Sequence, residues 1–435
     1  MHPNGPGRAN TRQWAAGCPR YTRATPPVVI LRAMSAGPRG PSLAAFALLA
    51  YAFAAIMLGT TMPSPMYALY SEHLHFSVAT TTVIYATYAA GVLFALVVFG
   101  SWSDAVGRRP VLLAGTLCAL GSAVVFLAAD SVPVLLAGRL LSGLSAGLFT
   151  GTATAAVIEA APPNWRTRAP TVATIANMGG LSSGPILAGV LVQYAPAPLR
   201  LSFVVHIVLV VLAAGAVLLV PETSSRSGRI RVQPLSVPSE VRSIFIIAAL
   251  AAFAGFAVTG LFAAVAPSFI ASVIGISNHA VAGLLAGSIF AASAVAQIFA
   301  SGIAPGRAVA WGCALLVAGM AVLAVALRFS SLGGLVAASV ISGVGQGISF
   351  SRGLAAVAER TPADFRAEVG SAYFLVSYIA ISVPVVGVGI AAQLWGLRTG
   401  GILFAVAVGV LAAGCLVAIL RQETGGSRAG AAAGG

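Results

Sequence analysis

"AAVIEAAPPNWR", residues 155–166, returns 200 positions later as "AAVAERTPADFR", residues 355–366. Ala, Ala, Val, Glu, Pro and Arg keep their places, and Trp165 is answered by Phe365. "SGLSAG" at 142–147 returns at the same offset as "SGVGQG", and Pro185 is answered within one residue by Pro384. Self-similarity at so long a period marks a duplicated architecture, so the chain is expected to hold two copies of one unit.

The composition identifies the unit. Of 435 residues 58% are hydrophobic and 8% charged, with a mean hydropathy of +0.96; an ordinary soluble domain is about 25% charged. Twelve apolar runs lie between Ser42 and Leu420. Each is long enough to cross about 30 Å of hydrocarbon, which takes roughly 20 helical residues. They are expected near 44–66, 78–101, 110–129, 132–156, 170–193, 200–220, 243–265, 279–303, 308–328, 332–356, 371–393 and 399–420. The fold class that follows is an all-α integral membrane protein with twelve transmembrane helices in two six-helix bundles, residues 42–221 and 243–421. The polar stretch 222–242 reads as the linker between them. Residues 1–41, with six arginines, no acid and many Gly and Pro, read as a disordered leader, or as lying upstream of a start at Met34; 422–435 reads as a disordered tail.

A formal charge of +14 raises the possibility of a nucleic-acid partner. The distribution of the charge argues against it. All 24 basic residues are arginines, and they alternate with the spans. With the N-terminus inside, Arg200, Arg328 and Arg398 fall in outer loops, Arg139 and Arg352 lie within spans, and the others fall on the inner side. That bias predicts a multi-pass protein of the plasma membrane with both termini cytoplasmic. No aromatic and basic platform accompanies the charge, so nucleic acid is not an expected partner. The four cysteines form no CxxC pair, and "EHLH" at 72–75 reads as a solvated loop, so no metal is expected. "GLSAG" and "GLSSG" match G-x-S-x-G only formally; both lie in apolar helices without an Asp or His partner, and neither an enzyme nor a cofactor is expected.

Charge is concentrated in "GSWSDAVGRRP", Gly100–Pro110, the short inner loop between the second and third spans. Gly100 lets the second helix approach a neighbour, Gly107 permits a tight reversal, and Arg108 and Arg109 hold the loop inside. Asp104 lacks an obvious partner. The eleventh helix begins on the same side near Val369–Ser371, and its positive N-terminus would receive an acid there as a latch between the halves.

This loop resembles the G-x-x-x-D-x-x-G-R-R signature of the major facilitator superfamily. Arg139 with Gly143, Gly147 and Gly151 resembles the family's fourth-helix R-x-x-x-G-x-x-x-G pattern. "GLSSGPILAG" at 180–189 resembles the fifth-helix pattern of proton-driven antiporters, with Ala188 in place of one glycine, and "VPET" at 220–223 resembles the usual end of the sixth helix. In the second half Gly306 and Arg307 answer Gly107 and Arg108, while Ile303 takes the place of the acid. The resemblance implies a monomeric carrier of the twelve-helix drug:proton antiporter or sugar-efflux type, rocking about a central cavity, with protons as the coupling ion. Gly100, Asp104, Gly107, Arg108, Arg109, Gly180, Gly184 and Pro185 would form its gates.

A charge inside hydrocarbon costs about 2.5–3.5 kcal/mol on insertion scales, which marks Arg139 as a substrate or proton residue, with a structural strut as the alternative. Arg352 lies near an inner helix end and can snorkel, and His206 reads as a packed residue. Tyr85, Tyr88, Asn177, Gln297, Gln346 and Tyr378 are polar or aromatic candidates on lining helices for a small-molecule substrate. No Asp or Glu lies deep in a span: Asp130 is at an outer end, Glu159 and Glu359 at inner ends. A strongly cationic substrate is therefore disfavoured. A neutral, amphipathic or weakly anionic compound carried outward is the expected cargo, against import of sugars or other metabolites and against a transporter-like sensor.

Overall fold

The computed structural model describes residues 42–226, 228, 230 and 235–432, with side chains through Gln422. The leader expected at 1–41 lies outside the described residues, as does part of the linker. The described residues contain no strand and include twelve helices long and apolar enough to cross a membrane. In chain order they are α1 Leu43–Leu74, α2 Val78–Phe99, α3 Arg108–Leu127, α4 Val132–Ala160, α5 Ala169–Tyr194, α6 Leu201–Leu219, α7 Ser239–Ala264, α8 His279–Gly302, α9 Pro305–Arg328, α10 Leu332–Arg360, α11 Ala363–Trp395 and α12 Leu397–Gln422.

Side-chain caps start several of them. Ser42 accepts from the Ala45 amide, Ser77 from Thr80, Ser331 from Gly334, and Asn278 from Ala280 and Val281, each satisfying a first-turn N–H that has no partner within its helix.

Several helices overrun the limits set by hydropathy. α1 continues to Leu74 because Ser64–Met66 forms a single 3-10 turn, after which Tyr67–Leu74 is helical again. Pro65 is tolerated in that first turn, where its missing N–H has no acceptor to lose. α4 and α10 run to Ala160 and Arg360, and α11 begins at Ala363. The polar residues that close a hydropathy window there are good helix formers and sit at the wet ends of the bundle. The helix of α12 goes on to Ala432, where a disordered tail is expected from sequence; no proline interrupts it, and extending a formed helix is easier than starting one.

The packing repeats as the sequence does. α1 packs on α4, α5 and α6, α3 on α4 and α6, and α2 on α4; α7 packs on α10, α11 and α12, α9 on α10 and α12, and α8 on α10. The halves meet where α5 crosses α8 and α2 crosses α11, two contacts that the repeat exchanges. Small residues let backbones meet at such crossings. A Cβ on Gly143 of α4 would strike the Tyr88 carbonyl of α2, and one on Gly147 would lie 2.6 Å from the Ala95 Cβ, whereas Gly151 has nothing within 4 Å.

Candidate functional site

Arg139 is fully buried in α4. Its Nε donates to the Tyr67 hydroxyl, and its Nη1 donates to the Thr60 carbonyl at 2.6 Å. That carbonyl is free because Thr60 lies in the last turn of the segment Leu43–Thr61, where helix oxygens lose their internal partners. The guanidinium carbon stands 5.1 Å from the Tyr67 ring centroid and 5.7 Å from that of Tyr85, within range of cation–π attraction. Nη2 has no partner, and among the described residues no carboxylate pairs with Arg139. The break in α1 thus supplies both a carbonyl and a phenol to one buried cation.

Two of the aromatic candidates lie beside it, and the third adjoins them. Tyr85 and Tyr88 are buried in α2, and Tyr378 of α11 lies beside Tyr88 and Thr150, so this corner is shared by both halves. The other candidates stand apart. Gln346 is buried against Gly255 of α7, Gln297 donates to Ser293 one turn back at 3.0 Å, and Asn177 is half-buried on α5. Thr60, Tyr67 and the buried Tyr70, whose hydroxyl has no partner, are missing from the residues singled out by sequence. The signal for them was the string "TTMPSPMYALY": a polar, proline-broken end of the first span, in a chain with a buried arginine that needs acceptors.

The loop between α2 and α3 is tied to its own half. Gly100 ends α2 exposed, rather than pressed on a neighbour. Asp104 pairs with Arg108 at 2.6 Å and is 58% exposed, and Arg108 reaches Glu159 at 3.0 Å. Asp104 therefore stands away from the start of α11 in this state. Gly107 has φ +118°, a conformation that favours glycine, and a Cβ there would meet the Glu222 carboxyl group. Arg109 Nη2 donates to the Leu218 carbonyl at 2.6 Å.

Glu222 organises this end. Its carboxylate accepts from the amides of Arg108 at 2.8 Å, Arg109 at 3.2 Å, Thr223 at 3.1 Å and Ser224 at 3.0 Å, and pairs with Arg226 at 3.7 Å. Two of those amides open α3, so the acid, which follows the last helix of the same bundle, caps a helix N-terminus more than a hundred residues earlier in the chain. Burial alone would raise its pKa, but the amides of Ser224, Arg108 and Arg109, together with the Arg226 charge, outweigh burial and hold it below the ordinary 4.5. A depressed carboxyl pKa gives stability that is present above the ordinary value and lost as pH falls through the folded one. Hydrogen exchange of peptides covering 100–110 is thus expected to stay slow from neutral pH down to about the ordinary carboxylate value and to quicken below it. In Glu222→Gln the same peptides should exchange faster at neutral pH, with no acid-dependent step from this group.

At the other end of the bundle the halves are closed. A Cβ on Gly389 of α11 would meet Thr82 and Ala79 at the start of α2. On α5, Gly180 and Gly184 face α1: Cβ atoms there would strike the Ala54 and Leu58 carbonyls. Pro185 removes the donor that the Leu181 carbonyl would otherwise have, and the Thr61 hydroxyl of α1 donates to that oxygen at 2.8 Å instead. On both sides of the proline α5 meets α8 at backbone distance. The Pro185 carbonyl fills the place of a Cβ on Gly283, and Ser182 donates to the Gly287 carbonyl at 3.0 Å.

Residues 48–384 match the family model of the Major Facilitator Superfamily, and the chain belongs to that family. It is a multi-pass membrane transporter and not an enzyme. The chain is 33% identical over 107 residues to the tetracycline resistance protein, class E, of Escherichia coli, a stretch covering 25% of this chain and 26% of that protein. It is 38% identical over 91 residues to the proton myo-inositol cotransporter of Homo sapiens, covering 21% of this chain and 14% of that one. These matches span about a quarter or less of the relatives' lengths. In three dimensions the chain resembles the nucleoside transporter NupG with a TM-score of 0.69 at 12% identity, covering 86% of this chain and 99% of that one.

Proposed function

We propose that the protein exports a small neutral, amphipathic or weakly anionic compound across the plasma membrane by alternating access, with the Glu222 end and both termini in the cytoplasm. One observation carries this reading: a buried guanidinium with a free N–H, faced by the rings of Tyr67 and Tyr85, and with no acid paired to it among the described residues. Such a group donates to a carbonyl, hydroxyl or carboxylate oxygen of a ligand and repels a cation. Tyr85, Tyr88 and Tyr378 give the ligand aromatic walls and hydroxyls, while Asn177, Gln297 and Gln346, which stand apart from this corner here, would meet it elsewhere along its path. When the Glu222 end closes, Asp104 leaves its solvent-exposed position and docks on the start of α11, with Gly100, Gly107, Arg108 and Arg109 shaping the loop. Gly180, Gly184 and Pro185 gate the opposite end. The proposed driving force is an inward proton gradient, in keeping with the proton in the name of the myo-inositol relative and the resistance in the name of the tetracycline relative. The test is flux of a panel of neutral and weakly acidic compounds in proteoliposomes, with and without an imposed pH gradient. Gradient-driven export supports the reading. Net uptake would show an importer, and binding without flux a sensor.

A further inference from the structure

The seam between α5 and α8 ends in a contact that none of the gating motifs contains. The first amides of α8 need acceptors. Asn278 takes two of them, from Ala280 at 2.9 Å and Val281 at 3.2 Å, and its own carbonyl takes Ala282 at 3.2 Å. The remaining one, the N–H of His279, donates to Oε1 of Gln193 at 2.8 Å. Gln193 lies in the last turn of α5, so one half of the protein completes the N-terminal cap of a helix in the other. Just beneath it a Cβ on Gly189 would meet the His279 carbonyl at 2.5 Å and the Gly283 Cα at 3.0 Å. The side chain is therefore set at the outer rim of a cross-half contact in which backbone meets backbone, where these two helices must part.

We infer that Gln193 is a latch for this end of the carrier: its side-chain oxygen holds the His279 amide only while α5 and α8 are together, and the bond breaks each time they separate. The contact is a neutral hydrogen bond, so it opens without desolvating or exposing a charge, and water can replace each partner once the rim is wet. A bond of this kind contributes a few-fold to the equilibrium between the closed and open rim. It acts at the opposite end from the Asp104 loop. The inference rests on the alternating-access reading, in that it requires the two halves to part here.

The test uses spin labels at Pro198 and Thr399, exposed sites in the two halves at this end, and reads the populations of near and far separations in lipid nanodiscs. Gln193→Leu keeps bulk but removes the acceptor, and is expected to raise the ratio of far to near population roughly fivefold. His279→Pro removes the donor from the other side; proline suits the first helical position, so α8 should persist. It should give the same shift, and the double variant no more than either single one. His279→Ala, which keeps the amide, should leave the ratio unchanged, and Gln193→Glu, which keeps an acceptor oxygen, should restore most of the near population. Populations unmoved by Gln193→Leu and His279→Pro would overturn the latch while leaving alternating access intact. An equal shift in His279→Ala would also overturn it, by assigning the effect to the imidazole. One invariant distance in every variant and at every pH would overturn both the latch and the transport cycle on which it rests.

Discussion

Arg139→Ala is expected to lower flux by on the order of a hundredfold, which corresponds to one charge-assisted hydrogen bond to the cargo of about 1.5–3 kcal/mol. The argument starts from what the residue lacks. A buried cation is normally held by an acid, and leaving one unpaired carries a penalty of several kcal/mol. Here the penalty is reduced by the Tyr67 hydroxyl, the Thr60 carbonyl and two ring faces, and Nη2 remains unused. A strut could be fully satisfied; this group is left with a donor that finds no acceptor, at a corner where Tyr88 and Tyr378 bring the two halves together. Because the alanine variant also strips partners from Tyr67 and Thr60, Arg139→Lys is the necessary companion. It keeps the charge but loses the planar fork, so membrane insertion and thermal stability should be nearly retained while flux falls at least tenfold. Initial rates in proteoliposomes, paired with melting curves in detergent, check both. Full flux in the lysine variant would reduce Arg139 to a helix tie.

How far each feature could be read in advance follows from the range of the forces behind it. The twelve spans and their duplication were legible because hydrocarbon demands long apolar runs, and a repeat leaves letters such as Glu159 and Glu359 in register. Arg139 was legible because charge is rare in spans. Its partners were not, since Tyr67 reaches it only because the 3-10 turn at Ser64–Met66 lets α1 continue past two prolines that look like a stop. Glu222 shows the same limit in another form. As part of "VPET" it marks the end of the sixth span, but its capping of α3 joins positions 114 residues apart, and no local pattern encodes that closure. Gly107 was the reverse case: a tight reversal asks for a left-handed residue, and φ there is +118°.

Gly283→Leu is expected to abolish flux while leaving the folded protein in the membrane. At the closed end the Pro185 carbonyl occupies the space of a Cβ on Gly283, and Gly189 Cα would lie 3.1 Å from it. Two backbones at that distance cannot yield as a flexible side chain would, so α5 and α8 could no longer close on each other. The state in which they stand apart has no such conflict, and the substitution should penalise only one member of the pair. Overpacking of a tight contact costs about 1–3 kcal/mol, and more where backbone must move, which shifts the equilibrium by at least a hundredfold at the upper end of that range. A carrier held open at one rim cannot complete a cycle. Gly283→Ala already places the offending carbon against the Pro185 carbonyl, so it should lose flux nearly as fully as the leucine variant, with thermal stability little changed in both. Spin labels at Pro198 and Thr399 should report the far separation almost alone in the leucine variant. If the near separation persisted with flux still lost, the close approach of α5 and α8 would be a packing feature of a rigid core, and the gate would have to lie elsewhere.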